Sequence, residues 1–211
     1  MWLVVGLGNP GRRYEATRHN VGFRVVERLA ERWGFPVDAK DLFGAKVGEG
    51  QVRNTRVLVA RPQGFMNLSG QPVVSIAGFH KLGPDRVVVV HDDLDLPVGD
   101  VRCKVGGGHG GHNGLRDIIR VIGGDFLRVR YGIGRPPEGW EVADFVLGKW
   151  GPEEAALLGP GVERAADVIE VVLTEGAAAA MNQFNVRSGG PRPAAPGGAA
   201  SARPAQSSSG R

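Results

Sequence analysis

Trp2-Leu-Val-Val-Gly-Leu7 is a continuous apolar run that stops at Gly8. A short run without polar alternation is typical of a strand buried on both faces, as in a parallel sheet. The run passes into a glycine-rich loop, and apolar residues then recur every four positions. This spacing predicts one face of a helix that ends at Gly34. The residues on that face are Val21, Val25, Leu29 and Trp33.

Working outward, strand-like and helix-like segments continue to alternate. Strands are predicted at residues 56–60, 86–90, 101–105 and 127–131. Helices are predicted from near Ser69, around residues 115–122, and over residues 153–175 with an interruption at Gly159-Pro160-Gly161. The interleaving predicts an α/β fold with a single domain. It should contain a twisted mixed sheet, largely parallel, with helices on both faces.

Composition separates a body, residues 1–187, from a tail, residues 188–211. The chain has 211 residues, 42% of them hydrophobic and 23% charged, which suits a soluble domain with a core. The tail has no apolar side chain larger than alanine, so we expect it to be disordered. It carries +3 of the formal net charge of +4, and the body carries only +1. The overall charge therefore does not by itself indicate a nucleic-acid partner.

Simple counts exclude several protein classes. One cysteine, Cys103, excludes a disulfide scaffold and a multi-cysteine metal site. No apolar run approaches the roughly 20 residues that a membrane-spanning helix needs. The N-terminus lacks the basic region and cleavage site of a signal peptide. We therefore expect a cytoplasmic protein with no membrane contact.

The first loop, Gly6-Leu-Gly-Asn-Pro-Gly11, matches the G-x-G-x-x-G pattern of dinucleotide sites. That fingerprint opens a helix directly and has an acidic residue about 20 positions later, after a second strand. Here the helical pattern starts only near Thr17, and Glu31 lies inside it. A glycine-rich turn that lets the backbone bend is the better interpretation.

Two further loops carry titratable side chains. His19 lies at a predicted helix start with Thr17 as its N-cap, where the helix dipole would keep the imidazole neutral and able to accept a proton. His91-Asp-Asp-Leu-Asp95 follows a strand, at the sheet edge where ligands usually bind. An ordinary exposed histidine and acids that merely cap a turn are the alternative interpretations.

The fourth loop, Gly106-Gly-Gly-His-Gly-Gly-His-Asn-Gly114, allows backbone amides to approach a ligand closely. Asn113 as an N-cap would explain the asparagine but not the glycines. His109 and His112, beside the acidic loop, keep a metal-dependent hydrolase open as an alternative. Covalent catalysis is disfavoured, because strand alternation points Cys103 into the core and no G-x-S-x-G is present.

Taken together, these loops resemble the bacterial-type peptidyl-tRNA hydrolases, over residues 1–185 and in that family's order and spacing. The resemblance implies a monomeric α/β enzyme that needs no metal or other cofactor. It would hydrolyse the ester between the peptide and the 3′ end of tRNA in peptidyl-tRNA released from ribosomes. The matching stretches are Val5-Gly-Leu-Gly-Asn-Pro-Gly11, Thr17-Arg-His-Asn-Val-Gly22, Phe65-Met-Asn-Leu-Ser-Gly70, His91-Asp-Asp-Leu-Asp-Leu-Pro97, Gly106-Gly-Gly-His-Gly-Gly-His-Asn-Gly114 and Phe145-Val-Leu-Gly148.

The resemblance also implies roles for single residues. His19 would be the catalytic base, Asp92 would orient it, and Asn9 would check for an N-blocked aminoacyl group. A non-catalytic RNA-binding relative would keep the fold without needing this base, and the intact His19–Asp92 pair disfavours that alternative. The positions implied to contact the acceptor end are Tyr14, Phe65, Asn67 and Asn113, with Met66 and His112 alongside.

A basic surface is predicted from strand alternation. Arg102 and Lys104 share one face of their strand, and Arg128 and Arg130 share one face of the next. We expect the two strands to be neighbours and Lys104 and Arg130 to grip an acceptor-stem phosphate, which agrees with the family's phosphate clamp. Solvated basic residues on a sheet face are the alternative for Arg102 and Arg128.

Overall fold

The computed structural model describes residues 1–185. Within them, one mixed sheet has the strand order β2-β3-β4-β1-β5-β7-β6. The four central strands are parallel, and antiparallel strands complete both edges. The seven strands are β1 (Trp2–Gly6), β2 (Lys40–Leu42), β3 (Ala45–Val52), β4 (Thr55–Pro62), β5 (Val87–Asp93), β6 (Val101–Val105) and β7 (Leu127–Gly132).

Helices cover both faces of this sheet, which confirms the predicted fold class. On one face α1, α5 and α6 close one buried cluster, and on the other α2 and α3 close a second. No helix of the described residues is long and apolar enough to cross a membrane. The helices are α1 (Val21–Trp33), α2 (Gly70–Phe79), α3 (Asn113–Ile122), α4 (Val142–Val146), α5 (Pro152–Glu175) and α6 (Ala177–Phe184).

Four elements lack a clear signal in the sequence: β2, β3, α4 and α6. In β3 the reason is packing, because Phe35 lies over two of its glycines. A Cβ on Gly50 would lie 2.1 Å from the Phe35 ring, and one on Gly48 would lie 2.4 Å from the Pro36 carbonyl oxygen. The strand therefore has small residues where its pattern would otherwise show apolar ones.

The interruption predicted at Gly159-Pro160-Gly161 is wrong, because α5 continues through it from Pro152 to Glu175. Pro160 has no N–H and so cannot make its helical hydrogen bond. Close to this gap, the Tyr131 hydroxyl donates to the carbonyls of Leu157 and Leu158, at 3.4 and 3.3 Å. A Cβ on Gly161 would lie 2.4 Å from that hydroxyl oxygen. The glycine thus admits the tyrosine instead of ending the helix. The predicted tail, residues 188–211, lies outside the described residues.

Two glycines allow α1 to pack closely against the sheet, at the edge where the loops after β1 and β5 lie. A Cβ on Gly6 would lie 2.2 Å from the Gly22 carbonyl oxygen. One on Gly22 would lie 2.4 Å from the Leu7 nitrogen and 2.5 Å from the Val90 carbonyl oxygen. The helix therefore touches β1 and β5 backbone to backbone, and no larger residue fits at either position.

We expect Gly22→Ala to destabilise the protein by about 3 kcal/mol or more, because backbone atoms cannot move aside as a flexible side chain can. Urea unfolding followed by circular dichroism measures this. Gly78→Ala is the matched control, since a Cβ on Gly78 in α2 would have no atom of residues 1–185 within 4 Å beyond its own helical neighbours. That change should stabilise by roughly 0.5–1 kcal/mol. Equal stability of the two variants would contradict the close approach.

Candidate active site

His19 and Asp92 meet where β1 and β5 end. Asp92 is near the end of β5, and His19 lies in a short 3₁₀ turn, Arg18–Asn20, directly before α1. His19 Nδ1 lies 2.8 Å from Asp92 Oδ1, and both residues are buried. The carboxylate can only accept, so Nδ1 carries the proton and Nε2 is left as the basic nitrogen. Among the described residues Nε2 has no hydrogen-bond partner.

The entry to α1 differs from the prediction that Thr17 caps it. α1 begins at Val21, and the Thr17 hydroxyl donates to the Tyr14 carbonyl oxygen at 2.7 Å. His19 therefore lies in the turn ahead of the helix, and its proton is positioned by Asp92 rather than by the helix dipole.

His112 uses both ring nitrogens within the protein. Its Nδ1 accepts from the backbone N–H groups of Gly114 and Leu115, at 3.1 and 3.3 Å, and its Nε2 lies 3.0 Å from Asp92 Oδ1. The N-cap of α3 is thus His112, whereas the alternative interpretation gave that role to Asn113. Asn113 is the exposed first residue of the helix, which leaves its amide available to a ligand.

The buried Asp92 carboxylate is ionised. Burial raises its pKa, but the neighbouring His19 and His112 outweigh burial and hold the pKa well below its usual range. One atom from each of these three residues lies within 4.8 Å of the others, a grouping of the kind that metal ions use. Here both imidazoles donate to the same carboxylate oxygen, so an ion would have to replace both hydrogen bonds.

Asn9 is fixed by its neighbours. Its N–H donates to Asn20 Oδ1 at 2.9 Å, and Asn20 Nδ2 donates back to the Asn9 carbonyl oxygen at 2.9 Å. The Asn9 side-chain oxygen accepts from the Met66 N–H at 2.7 Å. These bonds orient the Asn9 amide, so its NH₂ group is the part left to donate to a substrate.

The remaining predicted substrate residues surround this centre. The rings of Tyr14 and Phe65 are 6.4 Å apart edge to face, and Phe65 is 52% exposed. Met66 is buried and fits against Gly114, where a Cβ would lie 2.7 Å from the sulfur. Asn67 is exposed. The fold thus brings the 65–67 and 106–114 loops together.

β6 and β7 pair as predicted, with Arg102 opposite Arg130 and Lys104 opposite Arg128. The four cations are not equivalent. Arg128 is 3% exposed and donates to the carbonyls of Gly107, Gly108 and Gly124, so it holds the glycine-rich loop. Arg130 Nε donates to Asp93 Oδ2 at 2.7 Å, and Lys104 is exposed.

Comparison with known proteins decides the family. A family model described as peptidyl-tRNA hydrolase matches residues 3–192. The chain belongs to the peptidyl-tRNA hydrolase family. The hydrolase of Chloroflexus aurantiacus is 47% identical over 187 residues, covering 88% of this chain and 99% of that protein. The hydrolase of Nocardia farcinica is 51% identical over 186 residues, covering 87% and 95%.

A solved member of the family has the same fold. The crystal structure of peptidyl-tRNA hydrolase from Acinetobacter baumannii superposes with a TM-score of 0.84 at 41% identity. The match covers 88% of this chain and 95% of that one. A match of this extent spans the sheet and both helical layers that position the candidate site.

Two residues of the site were given no role from the sequence. Asn20 holds Asn9 through the paired bonds above. Arg18, beside His19, donates to Glu154 at 2.7 Å and to the Phe145 carbonyl oxygen at 3.1 Å. Its guanidinium lies 4.3 Å from the centre of the Phe145 ring. Both belong to the Thr17–Gly22 stretch that resembles the peptidyl-tRNA hydrolases, which was the available signal.

His91 makes the stability of the fold depend on pH. Burial, and then the nearby His112, lower the pKa of His91 from 6.5 to about 4. Between these values the unfolded chain binds a proton that the folded protein does not. Stability is therefore lost as pH falls from about 6.5 towards 4, at about 1.4 kcal/mol per unit. His91→Phe should lack this contribution, about 2 kcal/mol at pH 5.

Urea unfolding at pH 7.5 and pH 5 measures the difference between wild type and His91→Phe. His80→Gln, a histidine change outside the site, should keep the pH dependence of the wild type. If His91→Phe lost as much stability on acidification as the wild type, the buried neutral histidine would not be its source.

Proposed function

We propose that the chain hydrolyses the ester that joins the peptide to the 3′ end of tRNA in peptidyl-tRNA released from ribosomes. The 2.8 Å bond between His19 and Asp92 carries the proposal, because it leaves one basic nitrogen at the rim of a buried site. Family membership supports the substrate class. We also propose that it acts as a monomer in the cytoplasm, with no metal or other cofactor.

In this mechanism a water molecule is the nucleophile. His19 Nε2 takes a proton from the water as the water oxygen attacks the ester carbonyl carbon. Asp92 holds the ring in the required tautomer and stabilises the imidazolium, as the aspartate does in a serine-protease triad. The imidazolium then returns the proton to the ribose oxygen as the carbon–oxygen bond breaks. The products are tRNA and the free peptide acid, which releases its remaining proton to solvent.

The surrounding side chains fit the two halves of this substrate. Asparagine amides donate hydrogen bonds without titrating, which suits Asn9, Asn67 and Asn113 to an ester carbonyl or a peptide backbone. The exposed ring of Phe65, supported by Tyr14, offers a face for the terminal adenine. Met66 and His112 are largely buried beside these residues and support the same site.

We expect His19→Ala to lower kcat/KM on peptidyl-tRNA by about 10²–10⁴-fold, the usual contribution of a general base. Asp92→Asn should lose less, because it disturbs the orientation and charge of the base but keeps it. Circular dichroism checks that the fold is retained, and His109→Ala, on the exposed glycine-rich loop, is the milder control. Wild-type turnover in His19→Ala would contradict the proposed mechanism.

The same assay tests the metal-dependent alternative. Chelator should leave wild-type turnover unchanged if His19 and Asp92 act without an ion. Activity lost on chelation and restored by zinc or magnesium would favour a metal held by His19, Asp92 and His112.

We expect replacement of Lys104 and Arg130 by alanine to raise KM for full-length peptidyl-tRNA and to flatten its salt dependence by roughly one unit of slope per lost contact. A minimal peptidyl-adenosine ester, which lacks the acceptor stem, should be hydrolysed as before. Arg86→Ala, which removes one positive charge outside the basic surface, is the control for loss of charge alone. Equal losses on both substrates would mean that these cations support the active site instead.

A further inference from the structure

His112 links two parts of the molecule that the mechanism treats separately. Its Nδ1 accepts from two backbone N–H groups at the start of α3, so that nitrogen has no proton. A neutral imidazole carries one proton, which must therefore sit on Nε2. The 3.0 Å contact is then an N–H donated to Asp92 Oδ1, the oxygen that also accepts from His19.

Packing fixes this arrangement. The centre of the His112 ring lies 5.0 Å from that of His19 and 5.2 Å from that of His91. The His112 side chain is 8% exposed and the Asp92 side chain 3%. The charged or titratable groups facing Asp92 are His19 from the turn before α1, His112 from the loop before α3, and His91 from its own strand. Beyond them, Asp93 is paired with Arg130 of β7.

We propose that His112 is a positioning residue that couples the cap of α3, where the glycine-rich loop ends, to the orientation of the Asp92 carboxylate. The proposal rests on the proposed function. The loop ends in the residue that caps α3, and the same ring holds the carboxylate. The carboxylate is in place for His19 only when the cap is made.

Sharing one oxygen has a second consequence. Each N–H donated to Asp92 disperses part of its negative charge, so the His112 bond weakens the hold of Asp92 on a protonated His19. Without the His112 bond, His19 keeps its proton to higher pH. The acid limb of the pH profile of kcat/KM should therefore move upward.

Two substitutions separate the bonds. In His112→Asn the side-chain oxygen can replace Nδ1 as the cap of α3, but the side chain is too short to reach Asp92. In His112→Gln the amide nitrogen can replace Nε2 as the donor to Asp92, while the cap is lost. Both variants, with His19→Ala as reference, are assayed for kcat and KM across pH and for melting temperature.

For His112→Asn we expect a near-wild-type melting temperature, kcat lowered about tenfold with little change in KM, and an acid limb moved up by about half a pH unit. For His112→Gln we expect a lower melting temperature with most of kcat and the pH profile retained. The proposal fails if the Asn variant keeps wild-type kcat and pH profile, or if both variants lose kcat equally. Turnover that survives in His19→Ala would instead overturn the proposed function, whatever the two His112 variants do.

Discussion

The contact between Gly6 and Gly22 fixes where His19 and Asp92 meet. It lets α1 rest directly on the ends of β1 and β5, where the Leu7 N–H still donates to the Val90 carbonyl oxygen at 2.9 Å. His19 precedes Gly22 by three residues and Asp92 follows Val90 by two, so a backbone contact fixes the distance between them. His19 and Asp92 are therefore positioned by the rigid part of the fold, as the proposed catalysis requires.

The second constraint is the burial of the Asp92 charge. A carboxylate 4% exposed is tolerable only if its charge is met by donors, and here one oxygen accepts from two imidazoles. Histidines from two separate loops therefore contact the end of one strand, β5. The same requirement explains Arg128, whose buried charge is met by three loop carbonyls. Charged residues that the sequence pattern alone would place on the surface are thus buried, and their hydrogen bonds hold the loops in position.

Sequence periodicity predicted the elements whose apolar spacing is regular, such as α1 and the central strands, because burial on a fixed face leaves that pattern. It failed where a local rule was overridden by packing. α5 continues through Pro160, where the Tyr131 hydroxyl donates to the neighbouring carbonyls of Leu157 and Leu158, and Asn113 does not cap α3 because His112 does. In the candidate site, residue types pointed to His19 and to the acidic loop after β5, and only the family resemblance selected Asp92 within that loop. The paired bonds of Asn9 and Asn20 join residues eleven positions apart, which no local pattern records.

The proposed binding of RNA meets the same constraint at β6 and β7. Strand alternation places four cations along β6 and β7, but these cations differ in how far they are buried and in the groups they pair with. Arg128 is committed to the glycine-rich loop, and Arg130 gives its Nε to Asp93. A body with a net charge of only +1 cannot hold RNA by its overall field. The proposed RNA contact would therefore depend on a few oriented cations. The Asp93 bond holds Arg130 through Nε, which leaves the two terminal nitrogens of the guanidinium for the proposed phosphate contact.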